Sequence, residues 1–238
     1  MNEKYILVSS IASVGILSAI YIGFFGGNTQ VEANANEIAS KALDKLKVSG
    51  VEHIKTTSKF SKTDHYRDVK GSREVSIEYR SDGSLIKKTI VDKAGERVIV
   101  VGPEINGKRE AYTWTLPKDI AEENKGLLKA SLLGEIKKDL DQQSWTFDES
   151  VKTKEQVIVF KQVKKDNNEN NVVKVYTDSK TSFPKKKETY QVVDGSEELV
   201  STEEYSIESD NDSVFDTSKI SPKEIPAPVT PEATKKGN

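Results

Sequence analysis

The sequence predicts an α+β domain: a long antiparallel sheet, curved by its own twist, with helices packed on one face. Three observations carry that expectation. Val172 to Phe215 reads as extended run, turn, extended run, turn, extended run, with Asp194-Gly195 at the second turn. A type I′ hairpin needs positive φ at both central residues, which Asp-Gly accepts. Glu74 to Arg80 alternates strictly, with Val75, Ile77 and Tyr79 on one side and charge on the other. Between Pro117 and Asp141 the period changes, and Leu128, Leu132, Ile136 and Leu140 form a stripe at helical spacing.

Taken in order, Tyr5 to Phe25 carries no charge, and its twenty-one residues match the roughly 20 that a helix needs to span a bilayer. It predicts either an uncleaved membrane anchor or a secretory signal, for which Ala33-Asn34-Ala35 supplies a small-residue cleavage pattern. Both readings place the chain from about Asn36 outside the cytoplasmic membrane, in a bacterial cell envelope. Residues 1–35 are therefore set apart from a folded domain over 36–220. Asn36 to Val48 is expected as an amphipathic helix, with Ile38, Ala39, Ala42, Leu43 and Leu46 on one face and Gly50 to end it.

From Glu52 the period becomes two. Ile54 to Phe60 and Glu74 to Arg80 read as strands, Ser81-Asp82-Gly83-Ser84 as a turn, and Leu85 to Val91 as the next strand. Arg97 to Val101 is apolar on both sides, which predicts a central strand covered on both faces. Ala111 to Leu116 brings Tyr112, Trp114 and Leu116 together. The meander is expected to have one dry face and one wet face. Gly126 and Gly134 weaken the helical stretch by about 1 kcal/mol each, so one or two short helices are expected there. Strands resume at Trp145 and at Val157 to Phe160. Four of the seven prolines fall in the last 17 residues, and 221–238 is expected as a disordered Pro-rich tail.

Composition excludes several chemistries. With 36 basic and 38 acidic side chains the net charge is −2, so no large field draws the chain to nucleic acid. Cysteine is absent, which removes disulfides, thiolate metal sites and a cysteine nucleophile. There is no G-x-S-x-G, phosphate loop or Walker-type lysine, and neither an enzyme nor a cofactor or metal is expected. His53 and His65 are read as solvated surface histidines. Glu197-Glu198 and Glu203-Glu204 are read as solvated carboxylates. Lys185-Lys186-Lys187 reads as the charged guard of an edge strand, or as a contact for anionic headgroups. The apolar set Val75, Ile77, Tyr79, Tyr112, Trp114, Leu128, Leu132, Tyr190, Tyr205 and Ile207 is the candidate lining of a cavity or, alternatively, an ordinary core. Tyr and Trp combine apolar area with a polar tip that can orient a head group.

The closing segment resembles the C-terminal half of the LolA-like superfamily of lipoprotein carriers, lipoprotein-sorting proteins and RseB-like regulators. The features that carry the resemblance are Tyr176-Thr177-Asp178, the Thr181-Ser182-Phe183-Pro184 turn, Lys187-Glu188, Asp194-Gly195, Leu199 to Ile207 and Asp212-Ser213-Val214-Phe215. The order of early helix, strands, helical interruption and closing meander matches over 36 to about 217. The resemblance implies a curved antiparallel half-barrel with helices packed on its concave face, around a cavity for acyl chains or other apolar groups. The carriers' lid-locking arginine is assigned to no arginine here.

The function expected is a non-enzymatic extracytoplasmic protein that holds a lipid, acyl chain or other apolar ligand, in lipoprotein handling or envelope sensing. Its partners would be lipid or lipoprotein acyl chains, an envelope protein, and the membrane through residues 5–25. The alternative is an anchored sensory or interaction ectodomain with a filled core, binding a partner through its surface and tail.

Overall fold

The computed structural model describes residues 50–134, 145–148, 157–166, 169–178, 183–209 and 211–228. The expected spanning segment, cleavage site and first helix lie outside the described residues. Among the described residues no helix is long and apolar enough to cross a membrane.

Twelve strands follow one another along the chain: β1 Val51–Ser58, β2 Ser61–Asp68, β3 Arg73–Arg80, β4 Leu85–Asp92, β5 Arg97–Ile105 and β6 Lys108–Thr115. After helix α1, Lys118–Leu128, come β7 Thr146–Phe147, β8 Val157–Asp166, β9 Glu169–Asp178, β10 Pro184–Val193, β11 Ser196–Glu208 and β12 Lys223–Glu224. They form one open sheet in the order β12-β6-β5-β4-β3-β2-β1-β11-β10-β9-β8-β7. Two meanders are thus joined where β1 meets β11, with Val51 opposite Glu208 and Ser58 opposite Ser201. Every neighbouring pair is antiparallel except β12 with β6.

The hairpins follow local chemistry. Asp194 and Gly195 have φ of 50° and 81°, the two positive values that the Asp-Gly signal demands. Asn106-Gly107 repeats the device between β5 and β6, at 52° and 73°. Helix α1 follows Pro117, whose fixed φ suits the entrance to a helix, and carries Asp119 in its first turn. It lies against the turn Lys93–Gly95, where a Cβ on Gly95 would come within 3.1 Å of the Lys125 backbone nitrogen.

Cross-strand register defines the two faces, because directly opposed residues point the same way. One face, here the Val75 face, carries Val51, Val75, Ile90, Ile99 and Val101, packed against Phe215 with Val214 and Ile220 beside it. The Arg73 guanidinium sits 4.4 Å over the Phe215 ring and also pairs with Asp68 and Asp212, which fastens the closing 3-10 turn to this side. The other, the Glu52 face, carries Val98, Val100 and Trp114, packed against Leu116, Ile225 and Ala227. Arg97 to Val101 is therefore covered on both sides as its sequence requires, although β5 lies near one edge of the sheet and not at its centre.

Two expectations are corrected by these contacts. The chain from Ser221 was expected to be disordered. Instead it continues past Ile220 on the Val75 face, pairs β12 with the β6 edge, and delivers Ile225 and Ala227 to the Glu52 face. The Ile225 N–H donates to Thr113 O at 2.9 Å. An open strand edge offers backbone partners that a polar, proline-rich segment can satisfy without a core of its own. Residues 229–238 lie outside the described residues. The lysine run Lys185-Lys186-Lys187 is not on an edge strand, because β10 pairs with both β9 and β11. Each lysine meets a carboxylate: Asp178, Glu188 and Glu203 respectively.

Candidate functional site

The expectation of one dry and one wet face fails on the Glu52 side, and the failure locates the candidate site. One cross-strand row there runs Ile207, Glu52, Arg67, Glu74, Val91, Val98, Trp114. The next runs Tyr205, Ile54, His65, Ser76, Thr89, Val100, Tyr112. A polar band across β1 to β4 is thus flanked by apolar groups on both sides. Beyond Tyr205 the apolar flank continues in Val173 and Val175 on β9, both buried.

The centre of the band is buried although it is charged, with His65 and Glu74 half-buried beside it. Glu52 is 0 % exposed. Its carboxylate accepts from Ser131 Oγ at 2.5 Å and from the Leu132 N–H at 2.6 Å. The Arg67 guanidinium holds Glu74 through Nε at 2.8 Å and Nη2 at 2.6 Å. Its Nη1 donates to the carbonyls of Ala130 at 3.0 Å and Leu127 at 3.4 Å. These two side chains therefore tie the stretch that follows α1 to strands β1 and β2. Both serve backbone groups at helix ends. Arg67 reaches carbonyls at and just beyond the C-terminus of α1, where Leu127 O also accepts from the Ala130 N–H, and Glu52 takes an N–H at the helical start over 132–134.

The electrostatics follow from the pairing. Burial would push the Glu74 carboxyl up, but His65 and Arg67 outweigh it and hold it down at about 2. His65 Nε2 lies 3.1 Å from Glu74 Oε1, close enough for an ion pair yet out of line for a hydrogen bond. Further along the face, Lys87 and Glu78 pair at 2.9 Å.

The ten residues expected to line one cavity are divided by the register. Tyr112, Trp114, Tyr205 and Ile207 share the Glu52 face, and Leu128 and Leu132, both buried, bracket the stretch tied to it. Val75, Ile77, Tyr79 and Tyr190 lie on the Val75 face and cannot line the same space. There Val75 and Ile77 belong to the packed core, while the Tyr190 and Tyr176 hydroxyls both donate to Glu188 at 2.6 Å. Burial, together with that carboxylate, pushes the Tyr190 phenol up to about 12. Leu127, next to Leu128 at the end of α1, is exposed.

Neither histidine is a solvated surface group. His53 is set between Asp64 at 2.9 Å and Glu208 at 3.0 Å and stacks on Tyr66 with ring centroids 4.0 Å apart. Among the described residues no group of His, Asp and Glu is arranged to hold a metal ion. Sequence reading missed Glu52, Arg67 and Glu74 because it counted charge as a mark of water. The available signal was register: hairpin tips at Lys59-Phe60 and Val69–Ser72 place glutamate, arginine and glutamate side by side.

No family model and no curated protein matches the chain. Among solved structures it is similar to PNGF-II in its C2 crystal form, with a TM-score of 0.27 and 11 % identity over 75 % of this chain and 31 % of that one. The P21 form of the same protein gives a TM-score of 0.26 and 11 % identity, over 75 % and 32 %. The chain spans about a third of PNGF-II, and a likeness this slight carries no argument about fold or function.

Proposed function

We propose that this chain is a non-enzymatic, extracytoplasmic binding protein of the LolA-like kind. It shelters an acyl chain or similar apolar group between the Glu52 face, curved as a half-barrel, and helices over its concave side. Residues 5–25 bring it to the membrane. The observation that carries the reading is the fastening of 127–132 by Arg67 and Glu52. A segment held largely through its backbone by two ionic side chains can lift by exchanging few polar contacts. The leucines beneath it, Leu128 and Leu132, can then give way to a ligand's methylenes. Trp114, Tyr205 and Ile207 supply apolar wall on the same face.

Burying ten methylenes at ~0.8 kcal/mol each contributes about 8 kcal/mol before the cost of association. That is enough for useful affinity without any covalent step. Native mass spectrometry of the purified chain is expected to show co-purified lipid. After lipid is stripped, a pyrene-labelled alkyl chain should bind saturably at one per protein. A chain that carries no lipid and shows no saturable binding would sink the proposal. The second reading, an interaction ectodomain with a filled core, draws support from the packed clusters on both faces. It predicts instead capture of an envelope protein that depends on residues 218–238.

A further inference from the structure

We infer that Ser76 and His65 form a head-group site in the middle of the Glu52 face, which receives a neutral oxygen acceptor of the ligand, an ester or amide carbonyl. The inference rests on the apolar-ligand reading above and names the class of amphiphile that this site takes. Ser76 is 8 % exposed, and its Oγ finds no hydrogen-bond partner among the described residues. His65 Nε2 beside it has the Glu74 carboxylate 3.1 Å away as its ion-pair partner, off the line of a hydrogen bond. Burying a hydroxyl or a ring nitrogen without a partner is costly, so native structures rarely leave one orphaned. Here the Ser76 hydroxyl is one, with the His65 ring directly opposite it on β2 and pointing to the same face. They stand one row from the Arg67 and Glu52 fastenings, with Trp114 and Val100 to one side and Tyr205 to the other. A ligand whose polar group rested here would have apolar wall in both directions for its chain.

The surrounding charges select the head group. The nearby cations are already matched, Arg67 and His65 with Glu74 and Lys87 with Glu78. The Glu52 carboxylate adds negative charge to the same row. A fatty-acid carboxylate or a phosphate would meet carboxylates with no cation to spare among these neighbours, whereas a carbonyl needs only a hydroxyl or ring N–H.

The test compares three probes on the lipid-stripped full chain: methyl 10-(pyren-1-yl)decanoate, the corresponding free acid, and 1-decylpyrene. The ester should bind about fivefold to tenfold more tightly than decylpyrene, the value of one net hydrogen bond. The acid should bind no better than the ester. Ser76→Ala should bring the ester down to decylpyrene while leaving decylpyrene unchanged, and Ser76→Thr, which keeps the hydroxyl, should retain the preference. Equal affinity for ester and decylpyrene in the native chain, a preference for the acid, or an ester preference that survives Ser76→Ala overturns the head-group site alone. Binding of none of the three overturns the apolar-ligand reading and this site with it. The native-chain comparison decides the matter even where Ser76→Ala fails to fold.

Discussion

Replacing Arg67 by methionine removes a group that, with His65, neutralises Glu74 and that also grips the stretch after α1. The guanidinium makes two contacts to Glu74 and two to backbone carbonyls. Its loss leaves only His65 to balance a carboxylate that is largely buried, and breaking a buried pair from one side costs up to about 3–5 kcal/mol. Proton linkage gives a figure of the same size. Glu74 titrates near 2 against an ordinary 4.5, and that difference corresponds to about 3 kcal/mol, shared between His65 and Arg67. The sign is fixed by the direction. A lowered carboxyl stabilises the fold above its unfolded value, and the contribution is lost as pH falls from about 4.5 to 2.

Arg67→Met should therefore be least stable relative to the native chain at neutral pH, and the gap should narrow by pH 3. Urea unfolding followed by fluorescence reads this directly, because Trp114 and Trp145 are both buried. Arg67→Met/Glu74→Met should recover most of the loss, since an apolar pair of similar volume replaces a buried ionic pair at little cost. The two released carbonyls would account for the remainder. A single-variant loss under about 1 kcal/mol, a gap that does not change with pH, or a double variant no better than the single would refute this account of the band.

Three further outcomes are expected. Gly195→Ala should cost about 1–2 kcal/mol in thermal unfolding, because φ is 81° although the space around it is open. An unchanged melting temperature would mean the type I′ turn is wrong. Gly50→Ala should cost more, since its Cβ would meet Glu208 O at 2.7 Å and Ile207 Cγ2 at 3.1 Å as well as an unfavourable φ of 135°. The comparison fails if the two melts shift equally. Deleting 221–238 should cost about 2 kcal/mol, redden Trp114 emission and cause concentration-dependent association through the bared β6 edge. A truncated chain that stays monomeric with unaltered emission would show that β12 contributes nothing.

Much of the strand plan was legible without coordinates. Val75, Ile77 and Tyr79 share a face as their alternation requires, the Asp194-Gly195 hairpin turns where expected, and Arg97 to Val101 is covered on both sides. The candidate site was much less legible. Tyr112 and Trp114 looked equivalent to Val75 because all are apolar residues in strands, yet the pairing of Val100 with Tyr112 and of Ile90 with Ile99 puts them on opposite faces. A shift of one residue in register reverses a face, and no local pattern reports register across a hairpin whose turn length is unknown.

By itself the sequence determined what depends on neighbours along the chain: strand periodicity, left-handed turn residues, the helix after Pro117, and a charge balance that favours no polyanion. Only the tertiary structure decided which charges are dry. Glu52 and Arg67 become buried, and Glu74 half-buried, as the chain after α1 returns to them and closes the hydrogen bonds of Glu52 and Arg67, and the free energy of a buried ion depends on partners that lie far away in sequence. The same is true of residues 221–228, too polar to order alone and held in place by the edge of a strand more than a hundred residues earlier.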